Sequence, residues 1–203
     1  MASAPAGAPL VFIGLTGGIG AGKSEALAAF ARLGAATLST DAVVHELLDT
    51  PDVRDLLVER MGAAVAPGGH IDRRAVAEVV FERPAEREWL EGVLWPRVRA
   101  RVAHWREQVE RARPRANVAV VEVPLLFEAG ADYGFDATVA VVADNAVREE
   151  RAAARGHAGL EARSSRQLSQ DEKARRATFV ARNDGDLARL ERELESLLAK
   201  MAA

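Results

Sequence analysis

Val11-Phe12-Ile13-Gly14-Leu15-Thr16-Gly17-Gly18-Ile19-Gly20-Ala21-Gly22-Lys23-Ser24 decides the fold. From Gly17 to Ser24 it satisfies G-x-x-x-x-G-K-[ST], behind an apolar run and ahead of an Ala/Leu-rich segment. Strand, glycine loop and helix in that order separate a phosphate-binding loop from a chance match. Each residue type has a physical reason. Successive backbone N–H groups converge on phosphate oxygens only where the chain turns tightly without side chains in the way, so glycines fill the turn. A helix beginning near Gly22 directs unpaired N–H groups and its positive dipole end at the same anion. Lys23 adds a mobile cation for the β- and γ-phosphates, and the Ser24 hydroxyl can hold Mg²⁺. The chain has three lysines, Lys23, Lys173 and Lys200, beside many arginines, and one stands where the loop needs it.

The alternation around this loop predicts an α/β chain. Strands are expected at Leu10–Leu15, Ala35–Thr40, Asn117–Val123, Ala137–Val142 and Phe179–Arg182. Short apolar runs of this kind suit a parallel sheet covered on both faces. Helical spacing follows the loop from Ser24 to Leu33, with Gly34 placed to end it, and continues from Ala42 to Leu48. Between Thr50 and Arg115 no strand is expected. Asp72 is placed to cap a helix Arg73–Phe81, and Ala85–Arg113 carries a helical apolar set in which Pro96 predicts a kink or break. The last leucines, Leu187, Leu190, Leu194, Leu197 and Leu198, mark a closing amphipathic helix. The expected organisation is a nucleotide-binding core of residues 10–44 and 116–203, with a lid at about 145–176. A helical insertion spans 45–115 and a flexible leader 1–9.

Composition bounds the function. A net charge of −3, 49% apolar residues and few aromatics describe a soluble globular chain and not a general nucleic-acid binder. Without cysteine there is no disulfide, thiolate nucleophile or Cys-based zinc site, and His45, His70, His104 and His157 lack ligand spacing. No apolar run approaches a membrane span, so a cytoplasmic protein without nucleic-acid or membrane partners is expected.

Ligands of parallel α/β sheets gather at the carboxyl ends of the strands. That rule places the loop, Asp41 and Glu122 at one edge. Asp41 suits a general base for an attacking hydroxyl or, equally, an ordinary helix N-cap. Glu122, ending an apolar strand, suits Mg²⁺ through water or a solvent-facing carboxylate. Arg148, Arg151, Arg155, Arg163 and Arg166 form a cationic cluster, read either as a phosphate-clamping lid or as a solvated helix face paired with Glu149, Glu150 and Glu161. Trp89, Trp95 and Trp105 either pack within the insertion or line a substrate pocket.

Further motifs narrow the reading. These are Thr40-Asp41-Ala42-Val43-Val44-His45-Glu46-Leu47, Gly69-His70-Ile71-Asp72-Arg73-Arg74 and Val121-Glu122-Val123-Pro124-Leu125-Leu126-Phe127-Glu128. Glu161-Ala162-Arg163, Gln167, Glu172-Lys173 and Asn183-Asp184-Gly185 follow. With the loop they resemble the dephospho-CoA kinase family over Val11 to about Leu190.

The resemblance implies a three-layer P-loop NTPase fold of the nucleoside monophosphate kinase type, with a five-stranded parallel sheet, a helical CoA-binding insertion and a helical lid. It implies ATP and Mg²⁺, and transfer of the γ-phosphate to the ribose 3′-hydroxyl of dephospho-CoA. Carried over by position, Gly18, Ile19, Gly20, Ala21, Gly22, Lys23 and Ser24 hold the ATP phosphates, and Ser24 with Glu122 serves Mg²⁺. Asp41 becomes the base and Arg163 the lid cation, with Arg155 and Arg151 beside it. Asn183 and Gly185 lie near the adenine, and His45, Arg73 and Leu125 serve the acceptor. A monomer or weak homo-oligomer is expected.

The chain departs from the family pattern at four places. Glu25 follows the loop serine, Ser39-Thr40-Asp41 replaces Asp-x-Asp, Trp95-Pro96 replaces His-Pro, and Ala177-Thr178 replaces Ala-Asp. The competing readings are a kinase for another small alcohol or nucleotide, and a non-catalytic nucleotide-binding module.

Overall fold

Apolar runs too short for a helix and bounded by glycines form the strands, and their order in space follows from parallel crossovers. A computed structural model describes residues 9–130, 133–154 and 167–201. Among the described residues five strands are present: β1 (Val11–Gly17), β2 (Ala36–Ser39), β3 (Val118–Glu122), β4 (Ala137–Val142) and β5 (Phe179–Arg182). They pair in the order β2-β3-β1-β4-β5, all parallel. The expected α/β class and five-stranded parallel sheet are what the structure has.

Register fixes which residues share an edge. Leu15 pairs with Glu122, Ser39 with Glu122, Gly17 with Val141, and Val142 with Arg182. The carboxyl ends of all five strands therefore open on the edge that carries the glycine loop, as strand polarity requires.

Two helices cover one face of the sheet. They are α1 (Lys23–Arg32) and α8 (Leu187–Met201). Ile13, Leu15, Val139 and Val141 from the sheet pack with Ala26, Phe30, Leu190, Leu194, Leu197 and Leu198 from these helices. Each of the buried leucines on α8, Leu190, Leu194, Leu197 and Leu198, contributes roughly 1.5–3 kcal/mol by leaving water, which is why this charged helix stays docked. The alternate residues of β1 face the other layer. Phe12 lies there under the Arg106 guanidinium at 4.7 Å and against Phe135 at 4.7 Å, and Thr16 is fully buried. The helices after the strands are α6 (Asn145–Ala154) and α7 (Gln170–Arg176).

The chain divides into two compact units, residues 1–39 with 105–203, and 40–104. The second unit contains α2 (Thr40–Leu48), α3 (Pro51–Met61), α4 (Arg73–Glu82) and most of α5 (Pro84–Arg111), with 3₁₀ turns at Ala63–Val65 and Pro67–Gly69. Its buried residues include Val43, Val53, Leu57, Val65, Val76, Leu90 and Leu94. Asp72 caps α4 as its position predicts, accepting from Arg74 N and Ala75 N. Trp89 and Trp95 are half-buried, and the Arg60 guanidinium stands 5.6 Å over the Trp89 ring.

Two local expectations change. Thr40 begins α2 and does not end β2, so Asp41 stands inside the first helical turn and not at the N-cap. Pro96 does not break its helix, for α5 is continuous through it. The proline removes the backbone donor that would have met Gly92 O one turn earlier, while Arg97 Nη1 donates separately to Val93 O at 2.8 Å. Among the described residues no helix is long and apolar enough to cross a membrane.

Candidate active site

The glycine loop leaves β1 and turns into α1 through Gly22, whose φ of 88° is left-handed. No side chain caps this helix. Its first-turn N–H groups, with the dipole behind them, are therefore directed at whatever anion the loop receives. Gly22 is glycine for a second reason: a Cβ there would run into the Asn183 amide. Gly20, at φ 75°, faces the same limit, with the Arg148 carbonyl oxygen 2.6 Å from where its Cβ would stand.

The loop is braced from three sides. Lys23 Nζ donates to Gly17 O at 3.1 Å and Gly18 O at 3.2 Å, closing the turn over itself. Asn183, buried just past β5, donates from Nδ2 to Ala21 O at 3.0 Å, and its own N–H reaches Val142 O at 2.8 Å. From α6, Arg148 Nε donates to Ile19 O at 2.9 Å and Arg151 Nη1 to Asn183 O at 3.0 Å. Five of the expected phosphate-loop residues, Gly18 to Gly22, thus touch or carry this bracing.

Arg148 also bonds Asn145 Oδ1 at 3.1 Å. Neither Arg148 nor Arg151 is spent on a solvated face, because both turn to backbone carbonyls of the loop and its support. Arg155, Arg163 and Arg166 lie outside the described residues, and so does Glu161.

Ser24 and Glu25 follow Lys23 in the first turn of α1, both exposed. A carboxylate there is favoured by the helix dipole, which accounts for Glu25 beside an anion site. Glu122 ends β3 with 5% of its surface exposed. A hydroxyl and a carboxylate are hard oxygen donors, the kind Mg²⁺ takes one or two of while phosphates and water complete its shell. That donor set fits a nucleotide-borne Mg²⁺. Among the described residues no group of three or more His, Cys, Asp or Glu side chains could hold a metal ion by itself.

Asp41 and His45 are exposed and one helical turn apart on α2, on the same face. Arg73 is exposed at the start of α4, 3.6 Å from Asp49. Leu125 is half-buried on the segment leaving β3, and Gly185 is exposed beyond Asn183.

Lys173 was visible in the sequence only as a lysine within a motif, and the structure gives it a definite place. It is completely buried on α7, pairs with Glu128 Oε1 at 2.9 Å and donates to Pro124 O at 2.5 Å. Burial pulls its pKa below the ordinary lysine range, against the Glu128 carboxylate, which pushes it back up. Nothing in a charged segment such as Gln170–Arg176 separates a buried lysine from a solvated one. The Thr178 departure also finds its reason. Thr178 Oγ1 accepts from Thr138 N at 3.0 Å, and Thr178 N donates to Thr138 Oγ1 at 3.0 Å, where β4 and β5 begin, opposite the edge carrying the loop.

Comparison with known proteins gives the same picture from another direction. The family model described as dephospho-CoA kinase matches residues 11–189. A dephospho-CoA kinase of Deinococcus radiodurans is 40% identical over 194 residues, covering 93% of this chain and 91% of that protein. The crystal structure of TT1252 from Thermus thermophilus superposes with a TM-score of 0.75 at 34% identity, covering 94% of this chain and 97% of that one. Dephospho-CoA kinase from Campylobacter jejuni superposes with a TM-score of 0.66 at 25% identity, covering 94% and 96%. A loop braced for phosphate on a parallel five-stranded sheet, and a match running through all its motifs, lead to one conclusion: the chain belongs to the dephospho-CoA kinase family.

Proposed function

We infer that this chain is an ATP-dependent kinase that transfers the γ-phosphate of ATP to the ribose 3′-hydroxyl of 3′-dephospho-CoA, giving CoA and ADP, the last step of coenzyme A biosynthesis. The observation that carries this reading is the braced phosphate loop lying inside a family match over residues 11–189. Gly18 to Ser24 take the ATP phosphates with backbone N–H groups, and Lys23 follows the γ-phosphate with its ammonium. Ser24 and, through water, Glu122 would hold Mg²⁺, which would supply neutralisation of phosphate charge. Asn183 keeps the loop in shape, and Asn183 and Gly185 are assigned to the adenine end of the nucleotide.

Asp41 is the residue assigned to accept the proton of the 3′-hydroxyl as it attacks. In its exposed position it accepts that proton without first giving up a buried partner. His45, Arg73 and Leu125 are assigned to the acceptor, and residues 45–115 to its binding domain. Arg163 and Arg155 offset the charge that spreads over the phosphoryl group during transfer. The protein works in the cytoplasm as a monomer or weak homo-oligomer, without a nucleic-acid partner.

The test is ADP release followed with purified protein, ATP and Mg²⁺. The reading expects turnover that depends on dephospho-CoA. Turnover with adenosine monophosphate or shikimate and none with dephospho-CoA would transfer the chain to another small-molecule kinase. ATP binding without turnover on any acceptor would leave only a nucleotide-binding module.

A further inference from the structure

The exit of β3 carries Glu122 and Leu125 with Pro124 between them, and that segment is tied down by an unusual amount of buried polarity. Val123 N donates to Leu15 O at 2.8 Å, continuing the sheet. Pro124 has no N–H, so its carbonyl is the atom through which the chain can be held next. Two donors reach it from opposite elements: Thr16 Oγ1 of β1 at 3.3 Å and Lys173 Nζ of α7 at 2.5 Å. Thr16 immediately precedes Gly17, to whose carbonyl Lys23 is bonded. Lys173 also reaches Glu128, at the far end of the same segment, and Glu128 Oε1 accepts from Leu168 N at 2.9 Å. One fully buried ammonium thus pins both ends of Pro124 to Glu128.

Stability alone is a poor reason for this arrangement. Burying an ion pair costs desolvation that its attraction only partly returns, and an apolar replacement of both partners is often neutral or stabilising. Here the pair is not even fully satisfied. Among the described residues Glu128 Oε2 and Gln167 Oε1 are buried without a hydrogen-bond partner. Nor is the ammonium offered to the nucleotide, because it has no exposed surface and is engaged by Pro124 O and Glu128.

We propose that Lys173 is a positioning residue for phosphoryl transfer, holding Pro124 O and Glu128 so that the β3 exit, with Glu122 and Leu125, keeps its place beside the strand that feeds the phosphate loop. The proposal rests on the kinase reading for its rate measurement but not for its structural one.

Two variants separate positioning from stability. Lys173→Met removes the tether to Pro124 O, whereas Glu128→Gln keeps an acceptor for Lys173 and Leu168 and removes only the charge. Both lower the melting temperature. The proposal expects kcat for dephospho-CoA to fall about 10- to 100-fold in Lys173→Met, the scale of a displacement near one ångström. In Glu128→Gln the fall stays within about threefold, and the Kd of ATP measured without Mg²⁺ within about threefold in both, because these contacts do not touch the ATP-loop braces. Amide hydrogen exchange of residues 122–128, measured without any substrate, rises in Lys173→Met and stays near wild type in Glu128→Gln.

Lys173→Met with Glu128→Leu removes both charges and serves where the single variant folds poorly. It is expected to recover the melting temperature and not kcat. Recovery of both, equal kcat losses in the two single variants, or equal exchange in all of them overturns the proposal. Failure of every Lys173 variant to fold assigns the pair to stability and overturns it as well. A wild-type chain with no dephospho-CoA turnover refutes the kinase reading instead, and the exchange measurement then decides the positioning claim alone.

Discussion

Replacing Asn183 by alanine removes one hydrogen bond and leaves the rest of its neighbourhood in place. The backbone donor to Val142 O and the backbone acceptor for Arg151 both survive the change. What disappears is Nδ2 to Ala21 O at 3.0 Å, and Ala21 is completely buried. A buried carbonyl left without a partner costs about 1–3 kcal/mol. Taking about 2 kcal/mol, and placing it wholly in the nucleotide-competent loop geometry, the Kd of MgATP rises by up to about 30-fold. Placed instead in global stability, the same energy lowers the melting temperature by about 4–8 °C for a chain of this size. Calorimetric titration with MgATP and thermal unfolding followed by circular dichroism divide the two. The bracing account expects most of the cost in ATP affinity, with the KM for dephospho-CoA within about threefold of wild type. Asn183→Asp should be worse than alanine, since it has no donor and puts a carboxylate beside the carbonyl. An unchanged ATP affinity in both variants, with the whole effect in melting temperature, refutes the claim that Asn183 shapes the loop.

The other expectations are briefer. Asp41→Asn abolishes transfer while the Kd of MgATP measured by titration stays near wild type; a wild-type rate would remove Asp41 from the chemistry. Arg163→Ala lowers kcat by about 100-fold in steady-state assays, the scale for losing one transition-state charge partner, and an unchanged kcat would return the arginine to solvent. Gly20→Ala forces a left-handed φ on a residue whose Cβ meets the Arg148 carbonyl, and weakens MgATP binding by about tenfold or more in the same titration. Wild-type affinity there would mean that the loop and α6 separate freely.

The parts of this molecule that local chemistry determines could be read directly from its residues. Gly17 to Ser24 announced strand, loop and helix, the later apolar runs announced four more strands, and Asp72 announced its own helix cap. What distance in the chain decides could not be read that way. The strand order β2-β3-β1-β4-β5 is a set of long-range pairings that no periodicity encodes. Arg148 meets Ile19 across 129 positions, and Lys173 meets Pro124 across 49. An arginine or lysine in a charged helix looks the same whether it faces water or closes a loop, so the bracing of Ile19 O by Arg148 and the burial of Lys173 emerged only from the packed structure. Pro96 shows the reverse: its local rule allows a break, yet the helix runs through it in the packed structure. Family motifs supplied what spacing did not, chiefly the acceptor and the assignment of Asp41.

The central claim is that this loop delivers the γ-phosphate of ATP to one hydroxyl, the ribose 3′-hydroxyl of dephospho-CoA. It is tested by incubating the protein with γ-³²P-ATP, Mg²⁺ and dephospho-CoA, purifying the nucleotide product and treating it with a 3′-specific nucleotidase. The account predicts a labelled product that co-elutes with CoA and releases its label as phosphate on that treatment. Label that stays on the product, or that enters another acceptor while dephospho-CoA remains unlabelled, would contradict it.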